Sequence, residues 1–293
     1  MAVLETAGLK KRFGKTQALD GVDLSVDKGE VYGFIGPNGA GKSTTIRVLL
    51  GVIRADAGQA SIFGQDVWRD AVAIHKDIAY VPGDVNLWPN LSGGEVIDLF
   101  LRLRKGHGGK YRQELIERFD FDPAKKCGAY SKGNRQKVAL VAAFSADADL
   151  YILDEPTSGL DPLMEIVFRE CVAEVKARGG SVLLSSHILS EVEQLCDRIS
   201  IIRQGRIIDS GTLDELRHLT RNKVNLQATQ PLDGLEQLPG IYNLRTDGAS
   251  VHFDMDNSQT AAILAWLADK GICHLTSAPP TLEELFMSHY AGQ

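Results

Sequence analysis

Along residues 1–222, short β-branched runs alternate with stretches whose apolar positions repeat at helical spacing. That is the rhythm of a mostly parallel sheet covered by helices. Strands are predicted over 30–35, 78–81, 150–153, 181–185 and 199–203, and helices over 43–50, 93–105, 112–119, 132–144, 162–178 and 189–196. The helices from 93 to 144 follow one another with no strand between them, which predicts a helical subdomain, about 84–149, inserted in the α/β core. Past 222 the rhythm restarts, with strands over 224–228, 241–245, 251–255 and 272–276 and helices over 260–270 and 281–290. The chain reads as an α/β domain, 1–222, followed by a small accessory α/β domain, 223–293.

Composition narrows the function without changing that picture. The 293 residues are 44% hydrophobic and 24% charged, ordinary for a globular protein. A net charge of −6 leaves no basic face to hold a polyanion, so no nucleic-acid partner is expected. The four cysteines, Cys127, Cys171, Cys196 and Cys273, lie far apart and form no CxxC pair, so they read as reduced thiols. The N-terminus lacks the apolar stretch of a signal peptide, and no apolar run approaches the ~20 residues of a membrane helix. If the protein serves a membrane process, a separate chain must do the spanning.

The chemistry begins at Gly36-Pro37-Asn38-Gly39-Ala40-Gly41-Lys42-Ser43-Thr44, which fits GxxxxGK[ST] between an apolar strand and a helix. Glycines let consecutive N–H groups converge on phosphate oxygens, and the helix adds its positive dipole end. Lys42 is placed to neutralise the β- and γ-phosphates of ATP, and the Ser43 hydroxyl to ligate Mg²⁺. Downstream, Tyr151-Ile152-Leu153-Asp154-Glu155 is an apolar strand ending in two carboxylates. Asp154 is placed for the Mg²⁺ shell and Glu155 to polarise the attacking water as general base.

These segments, with Asp154-Glu155 extended to LDEPTSGLD at 153–161 and SSH at 185–187, resemble the ATP-binding cassette (ABC) family from residue 3 to about 220. The resemblance implies a P-loop nucleotide-binding domain that works as a head-to-tail dimer of two copies, with two ATP molecules sandwiched between them. It implies that Asp161 is the D-loop aspartate communicating between sites and that His187 is the switch histidine contacting the γ-phosphate. It also implies an integral membrane permease as partner and a place on the cytoplasmic face of the membrane.

The family's signature, commonly LSGGQ, closes over the partner's ATP and opens the helix just before the Asp154 strand. Leu91-Ser92-Gly93-Gly94-Glu95 looks like it but lies too far upstream. Ser92 and Glu95 instead form S-x-x-E, a capping box. The signature is assigned to Tyr130-Ser131-Lys132-Gly133-Asn134, where Ser131 and the N–H groups around Gly133 can bind a phosphate. An ordinary N-cap at Ser131 is compatible with that role. Lys132 replaces the usual first glycine and is expected to add positive charge.

Phe13 stands where the family stacks an aromatic on adenine, the alternative being a core phenylalanine. At Tyr80-Val81-Pro82-Gly83-Asp84, Gly83 occupies the place of the Q-loop glutamine. Asp84 or Asn86 is a candidate substitute, and the Mg²⁺ shell can close without either, so an active ATPase is expected. Trp88-Pro89 is either a contact for the membrane partner or packing within the helical subdomain. Pro279-Pro280-Thr281-Leu282-Glu283-Glu284-Leu285-Phe286 resembles the tail of drug- and antibiotic-exporter ATPases and points to export. Soluble ABC proteins of ribosomes or DNA carry two cassettes or long coiled arms, and this chain has neither. A regulatory cassette would have lost Lys42 or Glu155.

Overall fold

The computed structural model describes residues 1–103, 111–218, 221–248 and 250–284. The chain divides into two compact units, Met1–Ser210 and Gly211–Gln293, whereas the sequence pattern puts the division after 222.

The first unit opens with β1 (Ala2–Phe13) and β2 (Thr16–Asp27), then β3 (Val31–Ile35), α1 (Lys42–Leu49), β4 (Ala57–Ile62) and the short β5 (Gln65–Asp66). After α2 (Ala71–Ile74) and β6 (Ile78–Val81) come α3 (Gly93–Leu103), α4 (Arg112–Arg118) and α5 (Lys132–Phe144), with no strand among the described residues between them. The order closes with β7 (Leu150–Asp154), α6 (Pro162–Ala177), β8 (Ser181–Ser186), α7 (Leu189–Leu195), β9 (Arg198–Arg203) and β10 (Arg206–Thr212).

A six-stranded sheet, order β10-β9-β3-β8-β7-β6, is parallel from β9 to β6. Every residue of β3, β7 and β8 is buried, which is why these strands read as continuous rather than alternating runs. Gly33 lets α7 lie close, since a Cβ there would sit 2.7 Å from Val192 and 3.0 Å from Cys196 Sγ. The three cysteines of this unit are free and buried, and Cys273 of the second unit is free and exposed.

A second sheet, antiparallel in the order β2-β1-β4-β5, is absent from the predicted elements. Its strands defeat a period-two reading because β1 slips register against β2 at four places. Buried Thr6 repairs one such place, donating to Val22 O at 3.0 Å and accepting from Leu24 N at 2.8 Å. Apolar side chains of both sheets and α1, including Leu4, Leu19, Phe34, Ile46, Ile62 and Leu183, share one core.

The second unit contains α8 (Leu213–His218), β11 (Asn222–Ala228), β12 (Ile241–Asp247), β13 (Ser250–Met255), α9 (Thr260–Leu267) and β14 (Ile272–Ala278). Its sheet, order β12-β13-β11-β14, is antiparallel throughout. Val224, Leu226, Phe253 and Met255 pack against Ile263 and Leu267 of α9. Thr281 and Glu284 form a reciprocal capping box at 3.0 and 3.3 Å, and the rest of the helix expected to 290 lies outside the described residues.

Candidate functional site

The parallel strands deliver the expected site residues to one edge, at their carboxyl ends, where open α/β sheets bind ligands. Register pairs Ile35 with Ser186, Asp154 with Ser185, and Val81 with Leu153. The phosphate loop, the two carboxylates, His187 and Gly83 therefore follow neighbouring strand ends.

The loop from Gly36 to Thr44 wraps into α1. A Cβ at Gly36 would stand 2.4 Å from Ile202 O, so only glycine admits the loop so close to β9. Gly41 has φ +119 and caps α1, a left-handed position that an L side chain resists. Ala40 is buried and its carbonyl accepts from Gly205 N at 2.8 Å, while Asn38 and Gly39 are exposed. Lys42, 4% exposed, donates to Gly36 O at 2.6 Å and lies 3.6 Å from Glu155 Oε1. Burial pulls its ammonium below the ordinary value, against the pull of the Glu155 and Asp154 carboxylates. Ser43 is exposed and Thr44 half-buried at the start of α1.

Asp154, 6% exposed, accepts from the fully buried Ser185 hydroxyl at 2.8 Å. Glu155 has φ +48, a backbone state costly for a non-glycine residue and concentrated at functional sites. His187 Nδ1 lies 3.3 Å from Glu155 Oε1, so Lys42 and His187 converge on the Glu155 carboxylate. A Ser hydroxyl and an Asp carboxylate are hard oxygen donors of the kind Mg²⁺ takes. Among the described residues no cluster of three or more His, Cys, Asp or Glu competes as a metal cage.

Ser131 is the N-cap of α5, its hydroxyl accepting from Asn134 N at 3.2 Å. Asp161 is the N-cap of α6, accepting from Met164 N at 3.0 Å with Pro162 at the first helical position. Lys132 carries its charge at the start of α5, where its Nζ donates to Ser158 Oγ at 2.8 Å. Ser92 and Glu95 make the capping box in both directions, at 2.6 and 3.2 Å.

Phe13 is 50% exposed with Lys11 over its ring, so it is not a core residue. A Cβ at Gly83 would lie 3.2 Å from Asp154 O, so this position abuts the carboxylate pair. Asp84 is exposed and accepts from Asn86 at 3.3 Å. Trp88, 51% exposed, contacts Phe100 at 6.2 Å between ring centroids, so it both packs on α3 and presents surface.

Sequence reasoning passed over three supporting residues. Ser185, inside the SSH segment, holds Asp154. Gln136 and Glu191 are buried polar residues whose Oε1 atoms have no hydrogen-bond partner. Glu191 accepts from Ser186 at 2.8 Å, and burial raises its carboxyl against hydrogen bonds from Ser186 and Thr157. Gln136 and Glu191 gave no sequence signal, since each stands among other polar residues, in Asn134-Arg135-Gln136-Lys137 and Ser190-Glu191-Val192-Glu193.

The first family, described as ABC transporter, matches residues 19–158, and a second, described as ATP-binding protein DrrA1-3-like, C-terminal domain, matches 211–290. Daunorubicin resistance ATP-binding protein DrrA3 of Streptomyces coeruleorubidus is 42% identical over 217 residues, 72% of this chain and 68% of that protein. Uncharacterized ABC transporter ATP-binding protein YhaQ of Bacillus subtilis (strain 168) is 32% identical over 285 residues, 94% of this chain and 95% of its own length. A solved structure described as the ATP binding subunit of an ABC transporter superposes with TM-score 0.69 at 34% identity, covering 74% of this chain and 92% of that one.

Proposed function

The chain belongs to the ATP-binding proteins of ABC transporters, and from that premise we propose that it drives export of a drug-like or antibiotic compound through a separate integral membrane permease. As the ATPase subunit of such a transporter it converts ATP hydrolysis into movement of its partner. The likeness of the 211–290 segment to the DrrA1-3-like C-terminal domain, together with the daunorubicin-resistance relative, supports the direction of transport. Among the described residues no helix is long and apolar enough to cross a membrane; membership of the family is what supports a peripheral subunit on the cytoplasmic face.

The convergence of Lys42 and His187 on Glu155 carries the mechanistic reading. Lys42 neutralises the β- and γ-phosphates while loop N–H groups hold their oxygens. Glu155 accepts the proton of the attacking water as the new P–O bond forms and the β–γ bridge breaks. His187 steadies Glu155 and the γ-phosphate. Ser43 and Asp154 would hold Mg²⁺, whose charge offsets that of the phosphates. Phe13 stacks on adenine. Two copies meet head to tail, so that Ser131, Gly133 and Asp161 of each serve the nucleotide bound by the other.

Isolation of the tagged chain from its native membrane tests the partner, and ATP-dependent accumulation of a fluorescent drug-like amphiphile in inverted vesicles tests the direction. Co-purification of an integral membrane protein and accumulation inside the vesicles are expected. Accumulation that persists without ATP, or purification without any membrane protein, would overturn the reading.

A further inference from the structure

The start of α5 is fastened to the turn that carries Asp161 at three successive points. Lys132 Nζ donates to Ser158 Oγ at 2.8 Å. Gly133 meets Gly159 so closely that a Cβ at 133 would stand 2.4 Å from the Gly159 carbonyl oxygen. One turn along, Gln136, 1% exposed, donates to Pro156 O at 2.9 Å.

The same turn is wired to the proposed general base. Ser158 N donates to Glu155 O at 3.1 Å, and Leu160 N to Thr157 O at 2.9 Å. A pull on the Ser158 side chain is therefore felt one hydrogen bond later at Glu155. A lysine ammonium at the first helical position also opposes the helix dipole, and the bond to Ser158 fixes where that charge points.

We propose that Lys132 is a positioning residue of the hydrolysis cycle, tying through Ser158 the helix start that serves the partner's nucleotide to the turn that carries this chain's own Glu155 and Asp161. Closure on one nucleotide then sets the catalytic turn of the opposite half. The proposal rests on the head-to-tail reading above.

The test is a double-mutant cycle on the full chain: wild type, Lys132→Met, Ser158→Ala and both together, with Lys132→Arg as rescue. Each single change should lower kcat roughly three- to tenfold, the worth of one hydrogen bond, with KM for ATP within about twofold. The double variant should fall no further than the worse single, and Lys132→Arg should recover most of the rate. In parallel, sedimentation of Glu155→Gln with ATP and Mg²⁺ reports the dimer. A dimer accompanied by additive effects overturns the tether while leaving the dimer reading intact. So does a loss at Lys132 with wild-type kcat in Ser158→Ala, which would make Lys132 a direct phosphate contact. Absence of the dimer overturns the head-to-tail reading and the tether with it.

Discussion

Two helices of this molecule start with a serine closely followed by glycine, and their first turns differ in what they leave open. At α3, Ser92 is buried, its N–H is taken by Glu95 at 2.6 Å, and Glu95 also meets Lys126 at 3.2 Å. The positive end of that helix is neutralised from within. At α5, Ser131 is exposed, no acidic residue stands in the first turn, and Asn134 occupies the place of Glu95. The dipole there is uncompensated by the chain itself. Identical cap chemistry thus produces a closed structural joint in one helix and an anion-ready end in the other, and a single side chain three residues along decides which.

The sharpest way to break this contrast is to block both starts with the same residue. Ser131→Arg should lose all measurable turnover while ATP affinity of the monomer stays near wild type, because the proposed head-to-tail dimer gives Ser131 to the partner's nucleotide. Ser92→Arg should keep turnover per folded molecule and lose stability, about 1 kcal/mol from the cap alone. Steady-state ATPase with thermal denaturation reads both, and an essential Ser92 beside a dispensable Ser131 would reverse the assignment.

Glu155→Gln should slow phosphate release by roughly 10²–10⁴-fold, the usual worth of general base catalysis, and leave ATP binding largely intact. It also sharpens the contrast, since the trapped dimer should protect the amides at the start of α5 from hydrogen exchange and leave those of α3 unchanged. Wild-type hydrolysis by this variant would remove Glu155 from the mechanism.

How much of this could be read in advance followed from what each element has to do. The parallel strands were legible because burial on both faces writes a continuous apolar run, as in Val31–Ile35 and Leu150–Asp154. The antiparallel sheet was not, because the repeated slips of β1 erase alternation and β4, AGQASI, has little β-branched character. In the site, the residues of the motifs were legible by type and spacing. Ser185 and Gln136 were not, because their work is done on partners distant in sequence, Asp154 and the Pro156 carbonyl. The hand of Lys132 was legible as charge but not as direction, which only the position of Ser158 supplies.

Asn134→Glu would write the S-x-x-E box of α3 into α5. The fold should tolerate it, since the carboxylate gains the Ser131 N–H as the Glu95 carboxylate gains that of Ser92. Turnover should fall roughly tenfold, as the new charge competes with the partner's phosphate at the helix end. Unchanged turnover, measured alongside an unchanged melting temperature, would mean that the open dipole of α5 plays no part in catalysis.

The smallest expected effect comes from removing the charge that closes α3. The Ser92 N–H first, then Lys126, hold the Glu95 carboxyl below its ordinary value of 4.5. A carboxyl lowered in the fold contributes stability that is fully present above its unfolded value and is lost as pH falls through its folded value. Glu95→Gln keeps the reciprocal hydrogen bonds of the box but carries no charge to titrate. The melting temperature of wild type should therefore exceed that of Glu95→Gln by a constant small margin at neutral pH. The margin should narrow below about pH 4.5 and disappear once the carboxyl is protonated in both states. High salt should shrink it as well, because Lys126 and Glu95 are both largely exposed. A margin that persists unchanged in acid would mean that it does not come from the charge on Glu95. The difference between the two helix starts would then be steric rather than electrostatic.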